Sequence, residues 1–267
     1  MLRLGISGVA GKMGRALVQA IVETKDLRLG AAFESASSPV IGMDAGEFAG
    51  VGKLDVKVGE LKNGNLSQTD IIIDFSIPEA TLALAEICKS QDKGMVIGTT
   101  GFKKSQLRYL QECSANIPIF MSPNMSVGVN VLFKLLRIAS EAFGEEVDCE
   151  IVEAHHSQKI DAPSGTAVRI GEILADSRSV DIKNVGKYGR EGLVGKRTQQ
   201  EIGFSSIRGG DIVGDHTVFF IGEGERVEIT HRAQSRLNFA QGAIRAARFL
   251  SDKKNGLYDM EQLLELS

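Results

Sequence analysis

The sequence predicts an α/β protein built as an N-terminal doubly wound parallel sheet plus a smaller α+β domain with a mixed or antiparallel sheet. Three observations predict it. Apolar runs of strand length alternate with helical segments from residue 2 to about 125, the order that builds a parallel sheet. A glycine-rich turn joins the first strand to the first helix. After residue 147 the pattern changes to successive strands punctuated by glycines, with one helix among them.

Leu2 to Ser7 is a short apolar strand. It runs into Gly8-Val9-Ala10-Gly11-Lys12-Met13-Gly14, and Arg15 to Glu23 is helical. A second strand, Leu27 to Phe33, ends at Glu34. Strand, glycine turn, helix, strand and acid is the order of a dinucleotide-binding βαβ unit, so this domain reads as Rossmann-like. The glycines let the backbone approach a pyrophosphate, and the helix N-terminus favours its charge. Glu34 lies 20 residues after Gly14, placed to accept from ribose hydroxyls. The spacing is G-x-x-G-x-x-G rather than the commoner G-x-G-x-x-G, and a glycine turn here can be purely structural. The flanking elements and Glu34 favour a cofactor.

Residues 35 to 69 have weak periodicity and predict a loop with one or two short strands. Ile71 to Phe75 is an unbroken apolar run, as in a strand buried on both faces. Pro78 opens a helix to about Ser90. Met95 to Ile97 is a strand, Lys103 to about Ala115 a helix, and Ile117 to Met121 a strand. The strand ends Asp74-Phe75-Ser76, Gly98-Thr99-Thr100-Gly101 and Ser122-Pro123-Asn124-Met125 should share the carboxyl edge of the sheet, where such folds bind ligands. Gly98 and Gly101 read equally as turn glycines, and Asn124 as a helix cap. Val127 to Phe143 is a long helix. Strands follow at 147–155, 201–207, 212–221 and 226–232, with a helix near 166–176 and a long loop at 177–200. Leu237 to Leu250 and Tyr258 to Leu266 return to helix.

Composition narrows the function classes. A net charge of −3, no tryptophan and 6% aromatic residues argue against a nucleic-acid partner. Cys88, Cys113 and Cys149 are far apart and in no metal-type spacing, so free thiols in a reducing compartment are expected. No signal segment precedes the first strand, and no apolar run approaches a membrane span. A cytoplasmic protein with no membrane partner is the expectation.

The stretch Glu153 to Ala167, E-A-H-H-S-Q-K-I-D-A-P-S-G-T-A, carries the chemistry. It holds His155 and His156, two of the chain's four histidines, then Lys159 and a helix start at Ser164-Gly165-Thr166. Adjacent side chains at a strand end point opposite ways, so the two histidines should not face one ligand alike. A histidine proton donor and a lysine beside an anion-binding helix start suit a small carboxylate substrate. Helix capping by Asp161, Ser164 or Thr166 explains the S-G-T triplet alone. It does not explain two histidines and a lysine within five positions. A metal held by His155, His156, His216 and His231 lacks supporting spacing, and none is expected. A cysteine nucleophile is disfavoured because each cysteine lies inside an apolar element. Arg208-Gly209-Gly210-Asp211 reads as a tight hairpin turn with a charged rim, or with Arg208 aiding carboxylate binding or subunit contact. Thr230 to Arg236 reads as polar contacts near a cofactor or as a solvated helix start.

These residues carry a resemblance. The stretch from Glu153 to Ala167 resembles the signature of the dihydrodipicolinate (4-hydroxy-tetrahydrodipicolinate) reductases. So do G-V-A-G-K-M-G near the N-terminus, D-F-S-I-P-E-A at 74–80, V-I-G-T-T-G-F at 96–102 and S-P-N-M-S-V-G-V-N at 122–130. The likeness continues through I-R-G-G-D-I-V-G-D-H-T at 207–217 and E-I-T-H-R-A-Q-S-R at 228–236, so it spans essentially the whole chain. The resemblance implies NAD(P)H-dependent reduction of 4-hydroxy-tetrahydrodipicolinate, a small cyclic dicarboxylate, to tetrahydrodipicolinate with loss of water, in diaminopimelate and lysine biosynthesis. It implies His155 as proton donor or acceptor and Lys159 as a second proton donor. His156, Ser164, Gly165 and Thr166 would hold the substrate carboxylates. Gly8, Val9, Ala10, Gly11, Lys12 and Met13 would bind the pyrophosphate, and Glu34 the adenosine ribose. Gly98, Thr99 and Thr100 would line the nicotinamide side with Ser122, Pro123, Asn124 and Met125. A homotetramer is implied, with a dinucleotide-binding domain at 1–125 completed by C-terminal helices in 236–267, and a substrate-binding and oligomerisation domain at 126–235. Members that use NADPH well often carry a basic residue after the acid that ends the second strand. Here it is Ser35, so NADH should serve at least as well as NADPH. The alternatives are another two-domain NAD(P)-dependent reductase of a small amino acid or semialdehyde, and a non-catalytic nucleotide-binding protein. The His-His-x-x-Lys loop disfavours both.

Overall fold

The computed structural model describes residues 1–61 and 65–266. The chain divides into two compact units, Met1–Val127 with Arg236–Ser267, and Gly128–Ser235. The first unit begins with β1 (Leu2–Ser7), α1 (Lys12–Val22) and β2 (Leu27–Glu34). Then come α2 (Ala45–Ala49), β3 (Val58–Glu60), β4 (Ile71–Asp74), α3 (Pro78–Ser90), β5 (Gly94–Ile97), α4 (Lys104–Cys113) and β6 (Pro118–Met121). Every residue of β4 and β5 is buried, which matches their apolar sequences in a sheet covered on both faces. The helix α2 lies where only loop and short strands were expected. Its cap is Asp44, whose carboxylate accepts from the backbone N–H of Gly46, Glu47, Leu54 and Val56 and so folds the whole segment around itself.

The second unit contains α5 (Val127–Phe143), β7 (Asp148–His155), α6 (Gly165–Ser177), α7 (Ile182–Val185), β8 (Gly186–Tyr188), β9 (Ile202–Arg208), β10 (Gly214–Ile221) and β11 (Arg226–Ala233). Its sheet has the order β11-β10-β7-β9-β8. The strands β7, β8 and β9 run parallel, while β10 is antiparallel to β7 and β11, so the sheet is mixed. This corrects the reading of Arg208 to Asp211 as a hairpin turn. The strands β9 and β10 do not pair, because β7 lies between them and pairs with both. The segment 177–200 also contains more structure than the expected loop, namely α7 and β8. The core of this unit joins Leu132, Phe133 and Leu136 of α5 and Ile170 and Leu174 of α6 to Ile151, Phe204 and Phe220 of the sheet.

The chain then returns to the first unit with α8 (Leu237–Leu250), β12 (Gly256–Tyr258) and α9 (Met260–Leu264). Tyr258, expected to open a helix, ends a strand that pairs in parallel with β6. The helix begins beyond it because the Asp259 side chain accepts from Gln262 N–H and the Gln262 side chain reciprocates. The completed sheet has seven strands in the order β12-β6-β5-β4-β1-β2-β3, all parallel. One of its faces packs on α1 and α8 through Leu17, Ile21, Ala243 and Ile244. The other packs on α3 and α4 through Leu84, Cys88, Leu110 and Cys113. Among the described residues no helix is long and apolar enough to cross a membrane.

Candidate active site

The strand order of the first unit reverses at β1, with β2 and β3 on one side and β4, β5 and β6 on the other. Such a switch point leaves a crevice at the carboxyl ends of the central strands. A cavity of about 390 Å³ lies there, lined by Ser7, Gly8, Gly11, Glu34, Ser35 and Phe75 among others. Gly8 has φ +79°, and a Cβ on it would stand 2.3 Å from the Phe75 carbonyl oxygen. At Gly14 a Cβ would stand 2.3 Å from the Gly8 carbonyl oxygen, so this glycine lets α1 seat directly on the turn. Gly11 is the N-cap of α1 and offers no side chain to its first N–H groups. The turn thus presents bare backbone and a helix N-terminus to the crevice, the chemistry a pyrophosphate needs. Glu34 stands at the rim, its carboxylate accepting from Ala10 N–H at 3.0 Å and Ser35 N–H at 3.1 Å.

The other expected cofactor residues fall on the same edge of the sheet but differ in what they offer. The Val9 side chain is fully buried in the core and Met125 is 2% exposed, so each contributes backbone only. Lys12 is exposed, while Ala10 and Met13 are half-buried. Gly98 has a packing reason, since a Cβ there would meet the Phe75 ring at 2.3 Å. Thr99 is buried and donates to Asp74, while Thr100 is exposed. Ser122 donates to the Asn124 carbonyl, Asn124 accepts from Ser126 N–H, and Pro123 is exposed. From the sequence Asp74 was placed only as part of a strand end on this edge. It is fully buried and accepts from the hydroxyls of Ser76, Thr81 and Thr99, fixing three segments at the carboxyl edge. Its signal was a carboxylate ending an otherwise apolar strand.

In the second unit the site grows from the alternation of β7. Cys149, Ile151, Glu153 and His155 face the core, which places Glu153 and His155 side by side. Register then sets His216 of β10 and Ser206 of β9 opposite Glu153, with His231 of β11 opposite His216. The result is a polar row at one end of an apolar core. The Glu153 side chain is 1% exposed. Burial pushes its carboxyl up, but the Arg208 guanidinium, Ser206 and His155 outweigh this and hold it at about 2. Arg208 reaches it with both terminal nitrogens, at 2.8 and 2.7 Å. His155 Nδ1 lies 2.5 Å from Oε2, the oxygen that also accepts from Arg208 Nη1. Burial lowers the His155 pKa, with Glu153 opposing and Lys159 and Arg208 adding to the drop. His216, 5.2 Å from His155 between ring centres, is pushed down to about 3, first by burial and then by His155.

Ser164 caps α6, its hydroxyl accepting from Ala167 N–H at 3.2 Å and meeting His216 Nε2 at 2.9 Å. It is 2% exposed. Its hydroxyl meets protein partners at the start of α6, beside Gly165 and Thr166. A Cβ on Gly165 would meet nothing within 4 Å, so the α6 N-terminus is open. Lys159 Nζ donates to both Asp161 oxygens, at 2.7 and 2.9 Å. His156 follows the end of β7 and is half-buried. Its N–H donates to the Ile212 carbonyl, and Gly209 N–H donates to the His155 carbonyl, so the segment after β9 clasps the histidine loop. His155, Lys159 and the α6 start thus belong to one local cluster with Glu153, Arg208 and His216; sequence reading had weighed Arg208 only for carboxylate binding or subunit contact and His216 only as a metal ligand. Among the described residues no three His, Cys, Asp or Glu side chains converge as metal ligands.

Family models and curated relatives agree on one family. Family models described as dihydrodipicolinate reductase, N-terminus and C-terminus, match residues 2–125 and 128–264. The chain is 52% identical over 266 residues to a 4-hydroxy-tetrahydrodipicolinate reductase of Syntrophotalea carbinolica, covering 100% of both chains. It is 48% identical to the protein of that name from Saccharophagus degradans, covering 99% of this chain and 98% of the other. In fold it is similar to a dipicolinate-bound dihydrodipicolinate reductase from a Paenisporosarcina species, with a TM-score of 0.75, 24% identity and 97% of each chain covered. This family binds NAD(P)H, its members are NAD(P)H-dependent oxidoreductases, and the α/β architecture matches that of a dihydrodipicolinate reductase structure. The chain belongs to the dihydrodipicolinate reductase family.

Proposed function

We propose that the protein reduces 4-hydroxy-tetrahydrodipicolinate to tetrahydrodipicolinate with NADH or NADPH, in diaminopimelate and lysine biosynthesis. The observation that carries this reading is the pairing of His155 with the open N-terminus of α6, both tied to Glu153. A proton donor beside an anion-binding helix start is what a cyclic dicarboxylate undergoing reduction requires. Overall, one hydride and one proton enter and one water leaves. A bound dinucleotide supplies the hydride, and the bare turn from Gly8 to Met13 with Glu34 fits its pyrophosphate and ribose. Gly98, Thr99, Thr100 and the segment Ser122 to Met125 would complete the nicotinamide side. The N–H groups of Gly165 and Thr166 grip one substrate carboxylate, with His156 and Lys159 supplying further donors. His155 delivers its proton from Nε2, and Lys159 serves as the second proton source.

Glu34 followed by Ser35 favours NADH at least as much as NADPH. The second unit supports a homotetramer, since α5 and α6 cover one face of its sheet while Val152, Ile207 and Phe219 lie on the other. A cytoplasmic enzyme suits the three free, buried thiols. The test is NADH absorbance in the presence of freshly prepared substrate. Substrate-dependent oxidation that survives a chelator is expected. Tight NADH binding without oxidation would leave a nucleotide-binding protein, and turnover only with a semialdehyde or amino acid would point to another two-domain reductase.

A further inference from the structure

We propose that Glu153 is the positioning residue of the site: its buried carboxylate fixes His155 with Nδ1 protonated, leaves Nε2 as the nitrogen that exchanges protons, and holds Ser164 and the start of α6 in the same frame. The proposal rests on the reading of His155 as proton donor and adds what makes it one.

The geometry is a fully used carboxylate. Oε2 takes His155 Nδ1 at 2.5 Å and Arg208 Nη1 at 2.8 Å. Oε1 takes Arg208 Nη2 at 2.7 Å and Ser164 N–H at 3.3 Å. An ionised carboxylate only accepts, so the nitrogen facing it must carry hydrogen. Nε2 is then the nitrogen whose protonation changes. Gly214 stands beside it: a Cβ at that position would lie 3.0 Å from Nε2, so the absence of a side chain keeps this nitrogen reachable. Arg208 completes the device. Its two parallel hydrogen bonds keep Glu153 ionised, so a proton given up by the pair leaves from His155 and not from the carboxylate. One buried acid thereby couples the proton supply to the carboxylate grip.

The charged and titratable groups around His155 are Glu153 on β7, Arg208 on β9, His216 on β10 with His231 beyond it on β11, and Lys159 and Asp161 on the loop. Removing the Glu153 charge destabilises the imidazolium, and removing the Arg208 charge stabilises it. Because His155 acts as an acid, kcat/KM falls as pH rises through the point where it loses its proton. Glu153→Gln in the full-length protein should move that alkaline limb down by about one pH unit, and Arg208→Gln should move it up. Gly214→Ala should lower kcat with the limb unmoved. In the unaltered protein, long-range proton–nitrogen NMR correlations should show neutral His155 protonated at Nδ1. Limbs that stay put, or move the same way in both variants, overturn the positioning role. An Nε2-protonated His155 overturns it too, and that measurement stands even if a variant fails to fold. His155→Gln separates the two failures. Turnover retained there overturns the reading of His155 as donor, and with it this proposal. Turnover lost there, with unmoved limbs in the Glu153 and Arg208 variants, overturns the positioning role alone.

Discussion

Replacing Glu34 by glutamine should open the dinucleotide cleft to NADPH while leaving NADH binding nearly unchanged. The carboxylate is not free to swing away, because Ala10 N–H and Ser35 N–H hold it at 3.0 and 3.1 Å on the rim. A 2′-phosphate carries about −1.5 to −2 charges at neutral pH. At a separation of ~5 Å and an effective dielectric constant of about 60, its repulsion from the Glu34 carboxylate is about 2 kcal/mol. That corresponds to roughly a 30-fold preference for NADH. Glutamine keeps an oxygen for the Ala10 N–H, gives up only the exposed Ser35 N–H bond and removes the charge. The chain has no tryptophan to report on nicotinamide binding, so isothermal titration calorimetry is the suitable assay. The Kd for NADPH should drop by roughly 30-fold in Glu34→Gln at low salt, and by less at high salt, where exposed charges are screened. Wild-type protein binding NADPH more tightly than NADH, or a Kd ratio untouched by the substitution, would refute the reasoning.

Three further outcomes follow from named contacts. Gly14→Ala should cost at least about tenfold in NADH affinity and about 1–3 kcal/mol in stability, read by calorimetry and urea unfolding, because its Cβ would press on the Gly8 carbonyl backbone at 2.3 Å. Stability should fall with acid in a defined window. Glu153 is held at about 2 and His216 at about 3, both below their unfolded values, so each contributes stability at neutral pH that is lost as pH falls. The His216 share fades from about 6.5 toward about 3, at about 1.4 kcal/mol per pH unit, and urea midpoints for His216→Gln should vary less across that window. Burial pushes Cys88 up to about 12 and raises Cys113 and Cys149, so alkylation at neutral pH should label none of them in the native protein and all three once it is unfolded.

The parallel strands were legible because a strand buried on both faces needs an unbroken apolar run, and Ile71 to Ile73 and Met95 to Ile97 are such runs. The short elements were not. The helix α2 is five residues long, too short to show a period, and it exists through the four backbone bonds of Asp44. The strands β8 and β12 have three residues each and form because a neighbouring strand presents an edge. Two glycines between strands suggested a hairpin at Arg208, yet pairing across β7 is a long-range property that local turn chemistry does not encode. In the site, the histidines, Lys159 and the Ser164 helix start were visible as residue types. Glu153 was hidden as one letter of a strand, although the alternation with Ile151 would have placed it on the core face. Its partners, Arg208 and His216, lie 55 and 63 positions on in the chain and meet it only through sheet register.

The central proposal is a division of labour, in which the glycine cradle would bind the dinucleotide and the loop from His155 to Thr166 would supply protons and grip carboxylates. Lys159→Ala tests it most directly, because the Lys159 side chain touches Asp161 alone among the contacts described for it and is not part of the core. Turnover of 4-hydroxy-tetrahydrodipicolinate and the Kd for NADH should be measured on the same preparation. The account predicts turnover reduced by about 10²-fold or more with the NADH Kd unchanged. Turnover near the wild-type value, or an equal loss of turnover and NADH binding, would contradict it.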